Sequence, residues 1–251
     1  MSRNSKIRRT GLARALSKLG YCSRSSAAVL IRKGEVRVDG RLVLDPGSPV
    51  TAGKERIEVS GERIGGAERI YLVLNKPRGI VTTARDEKGR ATVYSLLPEY
   101  RQWLAPVGRL DKASEGLLLL TNDTRWAAQI TAPESCIEKR YHVHINSVAG
   151  NDLVHRLVSG VRAEDGETLK AKRASILRTG EKNCWLEIVL QEGKNRHIRR
   201  MLKSLGIEVL RLVRVGIGPL CLGDLSKGKA RELTPHERDR LNAAMVGGQS
   251  S

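Results

Sequence analysis

Gly108-Arg-Leu-Asp111-Lys-Ala-Ser-Glu115-Gly116-Leu-Leu-Leu-Leu120-Thr-Asn-Asp123 is the stretch that decides how the chain folds. Two glycines bracket a polar turn, and four consecutive leucines follow. The pattern predicts a turn that runs into a buried strand. Gly108 and Gly116 mark close backbone approach. Asp111 stands just ahead of the apolar run. A carboxylate there is costly to bury unless it is paired or used, so two readings stay open, a capping or salt-bridged side chain and a working one. Glu115 and Asp123 read as turn residues.

Outward from this stretch, the apolar strand Tyr71-Leu-Val-Leu74 opens the domain that holds it. Further strands are expected at 79–83, 118–121, 140–145 and 185–190, with helical stretches at 92–97, 124–131, 151–160 and 196–205. Strands and helices in irregular order predict an α+β fold, not a doubly wound one. Upstream, residues 11–33 have helical periodicity. Gly20 stops a first helix, Ser23 is placed to cap a second, and Gly34 ends it. Val36 to Val43 alternates around Asp39-Gly40, a hairpin signal, and Arg56-Ile-Glu-Val59 closes the unit. The expected organisation is a disordered basic tail at 1–10, a helix-helix-hairpin unit at 11–59, a linker at 60–69 around Gly65-Gly66, a main domain at 70–240 and a disordered tail at 241–251.

The net charge is +18 over 251 residues. Such a charge repels itself in a compact state, and a polyanionic partner, RNA or DNA, explains it best. Hydrophobic residues make up 40% and aromatics 3%, with no Phe. The core must therefore be built from Leu, Ile, Val and Ala. Cys22, Cys136, Cys184 and Cys221 have no metal-ligand spacing and read as reduced, mostly buried thiols. The basic start lacks an apolar stretch, so no signal peptide is expected. The longest aliphatic run, Leu117 to Leu120, is too short to span a membrane. A cytoplasmic monomer is expected.

Leu19-Gly20-Tyr-Cys-Ser23-Arg24, followed by Leu30-Ile-Arg32-Lys33-Gly34-Glu-Val-Arg-Val-Asp-Gly40, resembles the αL RNA-binding motif. That small domain is named after small-subunit ribosomal protein four and recurs in RNA-modifying enzymes. The resemblance covers about residues 10–57 and implies an RNA partner for Arg24, Arg32 and Lys33. Residues 1–60 hold 13 Lys and Arg against 5 Asp and Glu, a net of +8, which suits a phosphate-gripping module.

The central stretch is itself similar to the signature of the ribosomal RNA pseudouridine synthase family, the type with an αL-motif domain at its N-terminus. Leu74-Asn-Lys76-Pro-Arg-Gly79 resembles its entry motif, Glu138-Lys-Arg-Tyr141 a following strand, and Glu192-Gly-Lys194-Asn-Arg196-His197-Ile-Arg199 its third motif. Together the match spans about 10–240. It implies a mixed, largely antiparallel catalytic sheet, and isomerisation of uridine to pseudouridine in ribosomal RNA or an assembly intermediate. Asp111 would be the nucleophile or would stabilise an oxocarbenium-like sugar. Tyr141 would stack on the uracil, and Arg199 would form a buried ion pair with Asp111 that keeps it charged. Arg109 would hold RNA or fill the gap left by a flipped base. Lys76, Lys194 and Arg196 would line the phosphate path, and His197 would be a surface or RNA-contacting residue. No cofactor or metal is expected, since the isomerisation adds no atoms and no phosphate-loop or zinc spacing occurs. His197 replaces a usual Gln, and Ala230 replaces what is often an aromatic. Two other classes compete. A non-catalytic RNA-binding or ribosome-assembly protein would be free to lose Asp111, Tyr141 and Arg199, which are all present. A nuclease using Asp111 with Glu192 lacks the clustered carboxylates of a two-metal site.

Overall fold

The structure is a computed structural model that describes residues 9–51, 54–83 and 89–247. The chain forms two compact units. One holds the chain up to Tyr71 together with Glu99–Ala105 and Leu120–Ala127; the other holds Leu72–Pro98, Pro106–Leu119 and the chain from Ala128 on.

The first unit begins with β1 (Thr10–Gly11), α1 (Leu12–Lys18) and α2 (Arg24–Arg32). Four short strands follow: β2 (Val36–Val38), β3 (Arg41–Leu42), β4 (Pro49–Val50) and β5 (Ile57–Val59). The Ser23 hydroxyl accepts the Ser26 N–H at 3.0 Å and so caps α2. Asp39 and Gly40 both have positive φ, 49° and 78°, which turns β2 into β3. Ser60 and Gly61 repeat that geometry, and the chain returns as β6 (Glu62–Arg63) against β5. Residues 60–69, expected as a linker, therefore carry an edge strand. They are tied further by the Ala67 N–H to the Leu19 carbonyl and by the Arg69 guanidinium to Lys18 and Asn122. Leu12, Leu16, Ala27, Ile31 and Val36 are fully buried and form the core of this unit. Of the basic tail expected at 1–10, residues 1–8 lie outside the described residues.

Among the described residues the main sheet has nine strands. They are β7 (Tyr71–Lys76), β8 (Ala105–Val107), β9 (Glu115–Thr121), β10 (Lys139–Ile145), β13 (Arg173–Thr179), β14 (Cys184–Leu190), β15 (Val209–Ile217), β16 (Leu220–Cys221) and β17 (Ala230–Glu232), while β11 (Val161–Arg162) pairs only with β12 (Thr168–Leu169). The sheet order is β13-β14-β10-β15-β9-β7-β17. Neighbours with β10 and β14 are antiparallel, but β15 runs parallel to β9, with Arg214 beside Gly116. The helices are α3 (Thr124–Thr131), α4 (Asn151–Ser159), α5 (His197–Lys203) and α6 (Pro235–Gly247). Leu153 and Leu157 of α4 and Ile198, Met201 and Leu202 of α5 pack with Val143, Leu186 and Leu212 from one face of the sheet. The α5 residues fall at the i, i+3, i+4 spacing of a buried stripe, and each fully buried aliphatic side chain contributes roughly 2 kcal/mol. Among the described residues no helix is long and apolar enough to cross a membrane.

Several expectations are corrected. Residues 79–83 are not a strand. The Gly79 N–H goes to the Lys112 carbonyl and Val81 makes one isolated bridge to Thr92, so the backbone is used up by the turn it supports. Residues 92–97 hold only a short 3-10 turn, Val93–Leu96. The tail at 241–251 is helical as far as Gly247, with Leu241 fully buried. Thr234 and Glu237 form a reciprocal cap, each side chain accepting the other's N–H at 3.2 and 2.9 Å. Only Cys184 of the four thiols is buried, and Cys136 and Cys221 are exposed. Glu115 lies inside β9, where Arg211 and Lys227 bind its carboxylate at 2.7–3.0 Å. Asp123 caps α3 by accepting the Arg125 and Trp126 N–H groups.

Gly116 has φ +100°, and a Cβ there would collide with the Arg214 backbone across the parallel contact. Gly108 has φ +72° but meets only Thr131 at 3.6 Å, so conformation rather than space requires glycine there. Gly116→Ala is expected to destabilise the fold by about 3 kcal/mol in urea titration. Gly65→Ala, where a Cβ meets nothing within 4 Å, should leave the midpoint within about 0.5 kcal/mol.

Candidate active site

A cleft of about 650 Å³ opens in the main unit. It brings together six of the residues expected from sequence: Arg109, Asp111, Tyr141, Lys194, Arg196 and His197. Asp111 sits on the turn between β8 and β9, half-buried and open to the cleft. Tyr141 enters from β10, where the register against β15 shifts between Arg140 and Tyr141, an irregularity of the kind that re-aims a side chain. Arg196, Lys194 and His197 come from the turn before α5, and Arg196 holds a left-handed φ of 47°.

What distinguishes the Asp111 turn is that every carbonyl from Leu110 to Ser114 is bound. Thr82 Oγ1 donates to Leu110 at 2.8 Å. The Ser114 N–H and Lys76 Nζ reach the Asp111 carbonyl at 2.9 and 3.2 Å. The Gly79 N–H takes Lys112 at 2.8 Å, Arg199 Nη2 takes Ala113 at 3.1 Å, and Lys76 Nζ takes Ser114 at 2.9 Å. A half-buried turn so pinned cannot move its carboxylate far.

Two assignments change as a result. Lys76 is fully buried, with its ammonium among the carbonyls of Pro77, Asp111 and Ser114. It lies out of reach of any phosphate path and holds the turn from behind. The expected ion pair between Arg199 and Asp111 is absent among the described residues. Asp111 keeps access to the cleft and needs no partner to stay out of an apolar interior, while the Arg199 guanidinium is engaged by the carbonyls of Ala113 and Val209. Among the described residues Arg196 forms no ion pair with Asp111 either. The charge of Asp111 still acts on Arg199, whose pKa burial and Arg196 lower and Asp111 raises.

His197 is not a surface residue. It is 3% exposed, neither ring nitrogen has a partner among the described residues, and burial lowers its pKa. Two further cations in the cleft wall escaped the sequence reading, Lys139 and Arg214. Arg214 is buried, donates from Nε to the Leu117 carbonyl at 2.7 Å, and leaves Nη2 without a partner among the described residues. Its place in alternation on β15, between Leu212 and Gly216, was the available signal. Lys194 is tied to Glu167 and Glu192 at 3.2 and 3.0 Å. In the first unit, Arg24, Arg32 and Lys33 are all exposed, at the two ends of α2. Among the described residues no group of three or more His, Cys, Asp or Glu is arranged to hold a metal ion.

Burial lowers the Lys76 amine to about 8, against the attraction of Asp111 and Glu115. An unfolded lysine titrates near ~10.4. The folded chain therefore releases this proton first, and between the two values this group makes folding more favourable as pH rises. The turn responds in the opposite sense, because a neutral amine has two N–H groups for three carbonyls. Hydrogen exchange of the 110–114 amides is expected to accelerate as pH rises through about 8, beyond the trend of exposed control amides. Lys76→Met should exchange fast at every pH. An equal acceleration in both proteins would assign the effect to another group.

A family model described as RNA pseudouridylate synthase matches residues 70–204, and one described as S4 domain matches residues 10–55. The chain is 38% identical over 242 residues to ribosomal large subunit pseudouridine synthase B of Bacillus subtilis (strain 168), covering 96% of this chain and 98% of that protein. It is 37% identical to an RNA pseudouridine synthase of Aquifex aeolicus (strain VF5), covering 92% of each. A crystal structure of a pseudouridylate synthase superposes with a TM-score of 0.65 at 28% identity, covering 92% of this chain and 99% of that one.

Proposed function

We propose that this chain, which belongs to the RNA pseudouridylate synthase family, converts a uridine of large-subunit ribosomal RNA to pseudouridine with Asp111 as the working carboxylate. The observation that carries the reading is the clamped turn, which presents Asp111 to a cleft shared with Tyr141 and several cations. The large-subunit substrate rests on the name of the Bacillus relative.

The reaction exchanges one bond for another. The bond from the anomeric carbon to uracil N1 breaks, the base turns, and a bond to C5 forms. C5 loses a proton and N1 gains one, so nothing is oxidised or reduced. Positive charge develops on the sugar as the base leaves, and the fixed carboxylate of Asp111 meets it there. Tyr141 stacks on the base. His197 lies buried in the wall of the same cleft, and burial lowers its pKa, so it adds no fixed charge beside the base. Arg109, Lys194 and Arg196 face the backbone around a nucleotide drawn out of its stack. Lys76 and Arg199 act through the turn, as positioning residues. Arg24, Arg32 and Lys33 supply phosphate contacts from the N-terminal unit.

Asp111→Asn is expected to abolish tritium release from 5-tritiated uridine RNA while RNA affinity stays within about threefold, because the neighbouring cations supply binding. Near-normal turnover would remove Asp111 from the chemistry. Arg199→Leu is expected to lower kcat by roughly tenfold to a hundredfold through misplacement of Asp111, with KM little changed. Arg200→Leu loses the pairs with Asp165 and Glu167 and a long bond to the Asn195 carbonyl and should cost less than about threefold. Replacing Arg24, Arg32 and Lys33 by Gln is expected to reduce the salt slope of RNA binding by roughly two to three, with single-turnover kcat unchanged. An unchanged slope would take these three residues off the phosphates.

A further inference from the structure

The face of the main sheet turned away from α4 and α5 carries a row of side chains that the proposed reaction does not use. Register sets Arg178 opposite Trp185, Trp185 opposite His144, and His144 opposite Arg211, across β13, β14, β10 and β15. Val143, Leu186 and Leu212, one residue away on their strands, point into the core, so this row points outward from it. Tyr141 shares the face of Val143, which puts the cleft on the other side of the sheet. The His144 and Trp185 rings are parallel, with planes 2° apart and centroids 4.8 Å apart. The Arg178 and Arg211 guanidiniums lie 5.1 and 5.9 Å from the Trp185 centroid. Arg211 is anchored by Glu115, whereas Arg178 is exposed. Beside the rings is a depression of about 270 Å³ whose walls include Gly180 and Asn183, and Asn183 Oδ1 lies 3.1 Å from His144 Nε2.

Cross-strand pairing stabilises a sheet by itself, but an aliphatic pair would do that as well. An aromatic column between guanidiniums has a more specific use. Every nucleobase has a flat face that stacks on indole whatever its sequence, and arginine adds both a second stacking plane and a charge for the phosphate. The chain has three tryptophans in all. Trp126 is buried against Tyr71, while Trp185 stands half-buried on an open sheet face. The net charge of +18 favours a polyanion over an acidic peptide that would leave the column unused.

We propose that this row is a second RNA site that seats one unpaired nucleotide of the substrate, its base stacked on the Trp185–His144 column at the Arg178 end. The inference rests on the RNA-modifying reading above. Since the row and the cleft occupy opposite faces of one sheet, the nucleotide it holds is not the one being modified. The site serves affinity and leaves the chemical step alone.

The test is binding of a short, unstructured oligoadenylate to the full chain, read by quenching of tryptophan fluorescence and by filter binding. Trp185→Leu is expected to weaken the complex roughly tenfold and remove most of the quenching. With ribosomal RNA, the same change should raise KM and leave turnover at saturation unchanged. Arg178→Gln keeps the ring and is expected to weaken binding about threefold and lower the salt slope by about one phosphate. Thermal unfolding shows which variants are folded, and Arg178→Gln decides alone if Trp185→Leu is not. Unchanged affinity in a folded variant overturns the proposal. So does duplex RNA that competes as well as the single strand, because a closed duplex offers no base to stack and the row would be a simple phosphate contact. A wild-type chain that binds the oligonucleotide through Trp185 but makes no pseudouridine overturns the reaction and keeps this site.

Discussion

The ammonium of Lys76 is shut away from water, and three main-chain carbonyls surround it. A lone buried cation is expelled or neutralised unless dipoles replace its hydration shell. Here the replacement comes from Pro77, which follows Lys76 directly, and from Asp111 and Ser114, which lie on a turn 35 and 38 residues away. Solving the solvation problem of one charge therefore fixes both ends of the turn that carries the cleft's carboxylate. Gly79, Thr82 and Arg199 secure what remains between them. The position of Asp111 is thus set by the end of β7 and by α5 before any substrate contact.

This arrangement divides the basic residues of the main unit into two kinds. Lys76, Arg199 and Arg214 spend their donors on carbonyls of Ser114, Ala113 and Leu117 and are buried or half-buried. Arg109 and Arg196 are exposed to the cleft. The first kind builds a rigid wall, and its charge reaches the cleft as a field. The second kind can move to meet a ligand. A net charge of +18 read from composition treats both alike, although only the second can release counterions from a polyanion.

Local signals in the sequence were legible where local chemistry settles the conformation. The Ser23 cap, the stop at Gly34, the Asp39-Gly40 turn and the helix expected at 196–205, which forms as His197–Lys203, need only near neighbours. Clustering of Asp111, Tyr141 and the 194–197 segment followed from the family resemblance. Lys76 was misread because a lysine at a strand end is ordinarily solvated, and its acceptors lie on a distant turn. The Arg199 pairing failed for a related reason: the sequence shows an apolar run after Asp111, but not that the turn itself stays open to the cleft. The helix at the C-terminus was passed over on composition, even though Thr234 and Glu237 have the spacing of a reciprocal cap.

The parallel contact between β9 and β15 has a consequence for biosynthesis. Leu117 and Arg214 lie 97 positions apart, yet the guanidinium of one is bonded to the carbonyl of the other. On the ribosome β9, with its four leucines, emerges long before β15, which pairs with its first residues Glu115 and Gly116. For that interval the nascent chain exposes an apolar strand edge, the kind of surface that pairs with the wrong partner. Pairing over so long a separation also closes slowly. Strand β9 therefore waits through 97 positions for this contact, and translation that stalls before Arg214 leaves a chain with Asp111 made and its cleft unbuilt.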